Sequence, residues 1–350
     1  MRSTQALLLI VALFACFAAS ASDKPSLKDL PTQAIQRSQL TLPGSRPFHL
    51  KAEVYERTDR DNDSHNADIE EYWVAPDKWR RTVKTALFSE TLVVNGDNAN
   101  EKFDGEYYPN WLRTIVNGIF EPGAPLEGVD LSKSGDTARA SLTPKGTLSF
   151  GDVGSEVCRR FMFLASNPPV TNKVFSTYCF QRGLLESVGA PGYQIDYSDY
   201  KKFGEKQVAR KIGEYIEPGT ELGAEIKELT EFTSPNESLF AIEHSNVPLR
   251  TIVISEESLR AIILSAPPIQ WPTLTSGRNP GTLSIYVCID RQGHVRETYP
   301  LNSDSPIMTA AAREQVMKWQ FKPASNKGVS VQVESILTFG YEAKIVPAQQ

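Results

Sequence analysis

Apolar and polar residues alternate over most of the chain between residues 43 and 232. In Phe48–Val54 the even-numbered positions are apolar and the odd-numbered ones polar, a period of two that is typical of a strand buried on one face. Similar runs follow as far as Phe232, and short turns such as Asn95-Gly96 separate them. Short connections favour neighbouring antiparallel strands over crossover helices. The pattern therefore predicts one large antiparallel sheet.

Helical spacing interrupts this alternation at two places. Apolar residues recur near helical spacing in residues 26–37, and Asn110–Phe120 presents three apolar side chains on one side. We expect one or two helices that pack against the sheet. A short helix is also predicted after Ser255, a residue type that caps helix N-termini, and it ends before Pro267.

The pattern changes after Pro267, where two strands, a helix and a third strand are predicted in the order β-β-α-β. A tight turn joins the first two strands, since Gly293 can adopt a positive φ. One apolar stripe along the helix would cover a face of the sheet. The predicted elements are the strand Gly281–Ile289, the strand Val295–Tyr299, a helix from Pro306 with Met308, Ala312, Val316 and Trp319 in its stripe, and the strand Val329–Tyr341.

This order, with Trp-x-Phe-x-Pro at Trp319–Pro323, resembles the TonB C-terminal domain family over residues 266–345. Trp271 is a departure, because the family commonly carries Tyr before the following Pro. The resemblance implies a small αβ sandwich whose last strand pairs at its edge with an extended strand of a partner. We expect that partner to be an envelope protein, such as an outer-membrane receptor or transporter. The alternative is that this strand is simply capped or pairs with a second copy of this chain. The expected binding residues are Ser330, Val331, Gln332, Val333, Glu334, Ser335, Ile336 and Leu337.

Residues 40–232 resemble the LolA/LolB-type fold. The resemblance lies in Tyr193–Tyr197, Tyr200–Gly204 and the strand Glu70–Val74, whose turn leads into Trp79. It implies a strongly curved sheet wrapped partly around helices and holding lipid chains. A lipid or lipoprotein carrier is therefore the alternative function, with the apolar ligand expected against Phe48, Leu50, Phe161 and Ile195.

The expected architecture is α+β, with a large curved antiparallel sheet and one or two helices before the TonB-like β-β-α-β domain. Residues 1–21 have the layout of a signal peptide that is cleaved after Ala21. Residues 22–240 would form the sheet domain, residues 241–265 a linker with a short helix, and residues 266–345 the C-terminal domain. We expect a periplasmic or secreted protein; the alternative is an outer-membrane lipoprotein anchored through Cys16. A cleavable N-terminus and a folded domain in place of a Pro-rich spacer argue against a complete energy transducer.

The composition and the motifs limit the functions that we expect of this chain. A net charge of -5 and the absence of a basic stripe argue against binding of nucleic acid. The four histidines have no partners at metal-binding spacing, and no common catalytic motif occurs. The chain is therefore expected to be non-catalytic and to need no cofactor or metal. Asp59, Asp61 and Asp63 begin like a calcium loop, but Ser64 stands where that loop needs Gly, so cation binding and a solvated loop both stay open.

Three cysteines follow the predicted cleavage site. Cys158 and Cys179 lie in two strand-like runs that can pair, and we expect a disulfide between them because export permits one. Two buried thiols are the alternative. Cys288 would then be unpaired, as a small buried apolar residue in its strand.

Overall fold

The computed structural model describes residues 30–57, 64–122, 156–164, 173–190, 193–216, 220–246, 251–274, 280–303, 305–326 and 328–342. The predicted signal peptide, Cys16 and the loop with Asp59, Asp61 and Asp63 lie outside these residues. Within them, no helix is long and apolar enough to cross a membrane. No group of His, Cys, Asp and Glu side chains among the described residues could hold a metal ion.

Eleven strands form one antiparallel sheet in the first part of the chain. The strands are β1 (Phe48–Arg57), β2 (Ser64–Ala75), β3 (Lys78–Thr85), β4 (Ser89–Asn95), β5 (Asn98–Asp104), β6 (Glu156–Leu164), β7 (Lys173–Gln181), β8 (Leu184–Ala190), β9 (Tyr193–Phe203), β10 (Lys206–Ile216) and β11 (Thr220–Glu231). Their order is β5-β4-β3-β2-β1-β11-β10-β9-β8-β7-β6. Within β1–β5 and within β6–β11, each strand pairs with its neighbour in sequence, as short turns favour. At the centre of the sheet, β1 pairs with β11. The predicted large antiparallel sheet is confirmed.

Two helices, α1 (Leu30–Ser38) and α2 (Asn110–Phe120), contact this sheet at β8 and β10. The alternating apolar side chains of β1 point toward the helices, and α2 buries Leu112, Ile115 and Phe120 in the same core. Burying both apolar faces together is the main driving force for this layer arrangement.

The second domain is a four-stranded sheet covered by one helix. The chain continues through a 3-10 turn (Glu237–Phe240), β12 (Ile252–Val253), α3 (Glu256–Ala261), β13 (Ile263–Ser265), β14 (Gly281–Ile289), β15 (Val295–Ser303), α4 (Pro306–Val316), β16 (Gln320–Phe321), β17 (Ser325–Asn326), β18 (Val329–Ser330) and β19 (Val333–Tyr341). The sheet order is β12-β19-β14-β15, and α4 buries its stripe against it. The predicted β-β-α-β order is confirmed.

The hairpin between β14 and β15 depends on two residues. Asp290, which is buried, accepts the backbone N–H groups of Gln292 at 2.9 Å and His294 at 2.8 Å. Gly293 has φ +91°, and a Cβ built there would lie 2.0 Å from the carbonyl oxygen of Phe321. A side chain at residue 293 would therefore both strain the backbone and collide with the neighbouring chain.

The predicted linker is only partly a connection. Leu259 is buried in the core of the C-terminal domain, and β13 pairs with β16. β12 is the edge strand of the four-stranded sheet and pairs with β19. In the structure, residues 252–265 are thus part of the C-terminal domain, because their apolar side chains are buried there.

Cys179 is disulfide-bonded, and the β6–β7 register places Cys158 directly opposite it. The Cys158–Cys179 bridge stays a prediction that agrees with this register. Cys288 is a free, buried cysteine.

Candidate partner-binding site

β19, the predicted docking strand, has a partner on each side. Its inner edge pairs along its whole length with antiparallel β14. At its outer edge, Ile252 and Val253 of β12 run parallel to Val333 and Glu334. Ile252 donates its N–H to the carbonyl of Gln332 and Ile254 donates to that of Glu334, both at 3.0 Å. This end of the edge is already filled by the chain itself.

The far end of the same edge is capped by two charged side chains of α3. Glu256 accepts the backbone N–H of Thr338 at 2.9 Å, and Arg260 donates to the Thr338 carbonyl at 2.9 Å. Glu256 and Arg260 also form an ion pair with each other at 2.7 Å. Together they satisfy a donor and an acceptor that an added strand would otherwise satisfy.

These contacts define which backbone groups belong to the outer edge. The backbone groups of Gln332, Glu334 and Thr338 point outward, and successive residues of a strand point to alternate sides. The N–H of Val333 therefore points toward β14. A substitution that tests strand addition beside β12 must change a residue of the same parity that α3 does not hold, such as Ile336.

The predicted binding residues do not form one exposed strip. Ser330 is exposed but lies in β18, opposite Ser325. Ile336 is half-buried. The side chains of the other six are buried: Val331, Gln332, Val333, Glu334, Ser335 and Leu337.

Two of these buried side chains contact the first domain. The Gln332 amide accepts the backbone N–H of Tyr108 at 2.6 Å and donates to the Tyr108 carbonyl at 3.1 Å. Glu334 forms an ion pair with Arg113 of α2 and also accepts the hydroxyl of Tyr286. Burial alone would lower the pKa of Arg113, but the charge and hydrogen bond of Glu334 outweigh burial and raise it. The face of the sheet opposite α4 is therefore an interdomain contact.

Glu297 of β15 is the second polar anchor of this contact. One carboxylate oxygen accepts both the Tyr107 hydroxyl and the backbone N–H of Asn110, each at 2.8 Å. The other oxygen accepts the Tyr299 hydroxyl. Burial raises the pKa of Glu297 although these donors oppose the shift. Burial also raises the pKa of the nearby Cys288 thiol well above its usual range, so a reactive thiolate is disfavoured there.

A third contact lies beside the β14–β15 hairpin. Arg291 stacks on the ring of Phe103, with 3.8 Å between its guanidinium carbon and the ring centroid. Close by, Glu90 and Glu101 share a hydrogen bond. Burial and that hydrogen bond raise the pKa of Glu90 to about 8.

A cleft of about 1230 Å³ opens between the two domains. One wall holds four consecutive residues of β15, Arg296–Tyr299. Alternate side chains of a strand point to opposite faces of the sheet, so four consecutive lining residues mean that the outer edge of β15 faces the cleft. Ala310 and Met317 of α4 continue this wall. The opposite wall carries apolar side chains that include Phe88 and Trp111.

The residues predicted to hold an apolar ligand lie elsewhere. Phe48, Leu50 and Ile195 are buried in the packed core of the first domain and do not line the cleft. The side chain of Phe161 lies outside the described residues. Packed helices fill the sheet at these positions, and the open volume is at the domain boundary instead.

Sequence reasoning missed the segment that covers β19. Its signal is a short β-branched run, Thr251–Ile254, followed by the helix cap Ser255. Alternation over so few residues does not tell which strand it joins.

The fold and these contacts define a two-domain protein, in which a small β-β-α-β domain packs against α2 and the end of β5 of a large antiparallel sheet domain. Residues 275–343 match the family model of the Gram-negative bacterial TonB protein C-terminal domain. This agrees with the resemblance drawn from Trp319–Pro323 and its neighbours. A search of the curated proteins finds no match.

Solved structures that are similar to the chain include three proteins of low identity. A LolA superfamily protein from Nitrosomonas europaea has 8% identity and a TM-score of 0.35, over 62% of this chain and 97% of that one. A DUF1329 family protein from Desulfovibrio piger has 8% identity and a TM-score of 0.38, over 61% and 95%. A domain assigned as an outer membrane lipoprotein-sorting protein from Vibrio parahaemolyticus has 10% identity and a TM-score of 0.37, over 61% and 95%.

Proposed function

We propose that this chain is a non-catalytic protein of the bacterial envelope, exported to the periplasm. Its TonB-like domain binds other envelope proteins by taking one extended strand along the outer edge of β19. The observation that carries the proposal is β12, since Ile252 and Val253 already pair there as an added strand. An edge that holds one strand in register has the geometry for another.

The domain would act as a binding module and not as a complete energy transducer. The strands β1–β11 form a folded sheet ahead of it, and Arg113 and Tyr108 hold the domain on that part of the chain. A module fixed in this way presents its edge from a rigid body. Transmission of force would instead need a freely extending connection.

Capture from solubilised envelope extracts by the purified full-length chain tests the proposal. The bait is the Ile252→Ser/Ile254→Ser variant, in which β12 loses its apolar contacts, compared with the same variant carrying Ile336→Pro. Proline removes the outward N–H that a partner strand would use. We expect outer-membrane receptors or transporters to be recovered by the first bait and lost with the second.

Ile336→Ala in the same background is the matched control, because it keeps the backbone donor. Recovery that is equal with and without Ile336→Pro would reject strand addition at β19. Light scattering of the unloaded baits shows whether the bound strand comes from a second copy of the chain.

The interdomain cleft favours a second candidate function, the binding of an apolar ligand such as a lipid chain. Its volume of about 1230 Å³ is ample for one, since small-molecule sites take roughly 300–1,000 Å³. Leu87, at its rim, is 90% exposed and adds an apolar side chain to the mouth of the cleft.

Native mass spectrometry of the purified protein tests the second candidate. Copurified lipid should be present in the wild type and reduced by Ala310→Trp, which narrows the cleft. Ile307→Trp is the control, since Ile307 is exposed on the same helix but does not line the cleft. A mass without lipid, or an equal loss in both variants, would reject this function.

A further inference from the structure

The outer edge of β19 is covered by one short stretch of the same chain, Thr251–Arg260, here termed the capping segment. Its first part supplies β12, which bonds to the carbonyls of Gln332 and Glu334. Its second part supplies α3, whose side chains bond to both backbone groups of Thr338. The Ser335 hydroxyl closes the middle by donating to the Ile254 carbonyl at 2.8 Å. The segment thus makes the backbone contacts that an added strand would make.

The side chains of the capping segment show what this edge accepts. Ile252 and Ile254 pack against the core of the C-terminal domain, whereas Val253 between them is 73% exposed. The strand runs parallel to β19. The edge therefore accommodates a parallel strand with branched aliphatic residues two positions apart and an unconstrained residue between them.

We propose that the first part of the capping segment occupies the partner site in the free protein, and that a partner binds by replacing it with a strand of the same direction and pattern. This inference rests on the proposed function only for the claim that the edge serves external partners. The occupancy itself follows from the contacts of Ile252 and Ile254.

The structure separates a releasable part from an anchored part. β12 has only two residues in its ladder, and Val253 contributes little burial. α3 is anchored by Leu259, which is fully buried in the C-terminal core. Residues 251–254 can therefore leave the edge while α3 stays in place. Because the capping segment and β19 belong to one chain, the effective concentration of the segment at this edge is on the order of millimolar. A partner can bind only the fraction of molecules in which the segment has left the edge.

A labelled peptide with the sequence of residues 251–262 tests the proposal by fluorescence anisotropy against full-length proteins. We expect it to bind the Ile252→Ser/Ile254→Ser protein at least about tenfold more tightly than the wild type, whose own segment competes. A peptide with Val253→Ser should bind equally well, since this side chain points to solvent. A peptide with Ile252→Ser and Ile254→Ser should lose most of its binding.

Equal affinity for the two proteins, or no binding to either, would overturn the proposal. So would a Val253→Ser peptide that fails as badly as the double serine peptide. If the double variant does not fold, amide hydrogen exchange of the wild type tests instead whether β12 leaves the edge of β19. Residues 252–254 should then exchange at least about tenfold faster than β14, and equal protection would make β12 a permanent strand.

The peptide experiment tests the cap and the capture experiment tests the proposed function, so either idea can fail without the other. Peptide binding without any captured envelope protein would uphold the cap and reject the proposed function. Capture that is lost with Ile336→Pro, with no peptide binding, would uphold the function and reject the cap.

Discussion

Arg113 of α2 forms an ion pair with Glu334 of β19, and this contact ties the strand proposed to bind partners to the first domain. Glu334 is almost fully buried, and it also accepts the Tyr286 hydroxyl. β19 thus has two roles. Its Gln332 and Glu334 side chains contact the first domain, and the backbone groups along its outer edge are covered by β12 and α3.

Removing one partner of this pair should be costly. We expect Arg113→Ala to lower the free energy of unfolding by about 3 kcal/mol, because Glu334 is left buried without its cation. The double variant Arg113→Met/Glu334→Gln has no unpaired charge and should lose less. Urea denaturation of both variants checks this. Equal losses would mean that the charges do not interact in the folded protein.

Glu90 should make stability depend on pH in an unusual direction. Its pKa is raised from 4.5 to about 8 by burial and by the hydrogen bond with Glu101. The folded protein therefore keeps a proton that the unfolded chain has lost. This contribution to stability is complete below pH 4.5 and is lost as pH rises toward about 8.

Glu90→Gln should accordingly reduce the fall in unfolding free energy between about pH 5 and pH 8. Urea denaturation at the two pH values measures the slope. Glu257→Gln, an exposed position of α3, should leave the wild-type slope unchanged. If Glu90→Gln also leaves it unchanged, then Glu90 titrates normally in the folded protein.

Gly293 should tolerate no side chain. Gly293→Ala combines a positive φ with a Cβ only 2.0 Å from the Phe321 carbonyl, so we expect a loss of about 2–3 kcal/mol. Gly340→Ala is the control, since nothing lies within 4 Å of a Cβ there, and its effect should stay within about 0.5 kcal/mol. Thermal unfolding compares the two. Similar effects at both positions would contradict the turn geometry.

The pairing of Cys158 with Cys179 can be read from a non-reducing peptide map. We expect one linked peptide containing both residues, and slow alkylation of Cys288 because it is buried. Replacing both paired cysteines by serine should cost about 3 kcal/mol, the usual value for a loop of roughly 20 residues. A linked peptide that contains Cys288 would reject the assignment.

The sequence predicts the elements well where periodicity is long and turns are distinctive. The alternation of Phe48–Val54 reappears as β1, and the helix Asn110–Phe120 has the predicted bounds. The C-terminal order follows from Gly293 in its hairpin and from the apolar stripe of α4. Local patterning carries this information because each face is buried or exposed as a unit.

The candidate site was less accessible from the sequence. An edge strand and an inner strand can have the same alternation, so the run from Val331 to Phe339 does not reveal that β12 lies beside it. In the same way, Phe48 and Leu50 are apolar whether they line a cavity or pack on a helix. Pairing partners and cavity shape depend on contacts between residues far apart in the chain.

By itself, the sequence determined that this chain has a large antiparallel sheet followed by a TonB-like domain, because the period of its side chains and its turn residues act locally. Only the tertiary structure decided that the outer edge of β19 is closed by residues 252–260 and that the open cleft lies between the domains. The physical reason is that backbone hydrogen-bonding groups are the same at every residue, so their partners are chosen by the packing of distant segments and not by the sequence of the strand itself.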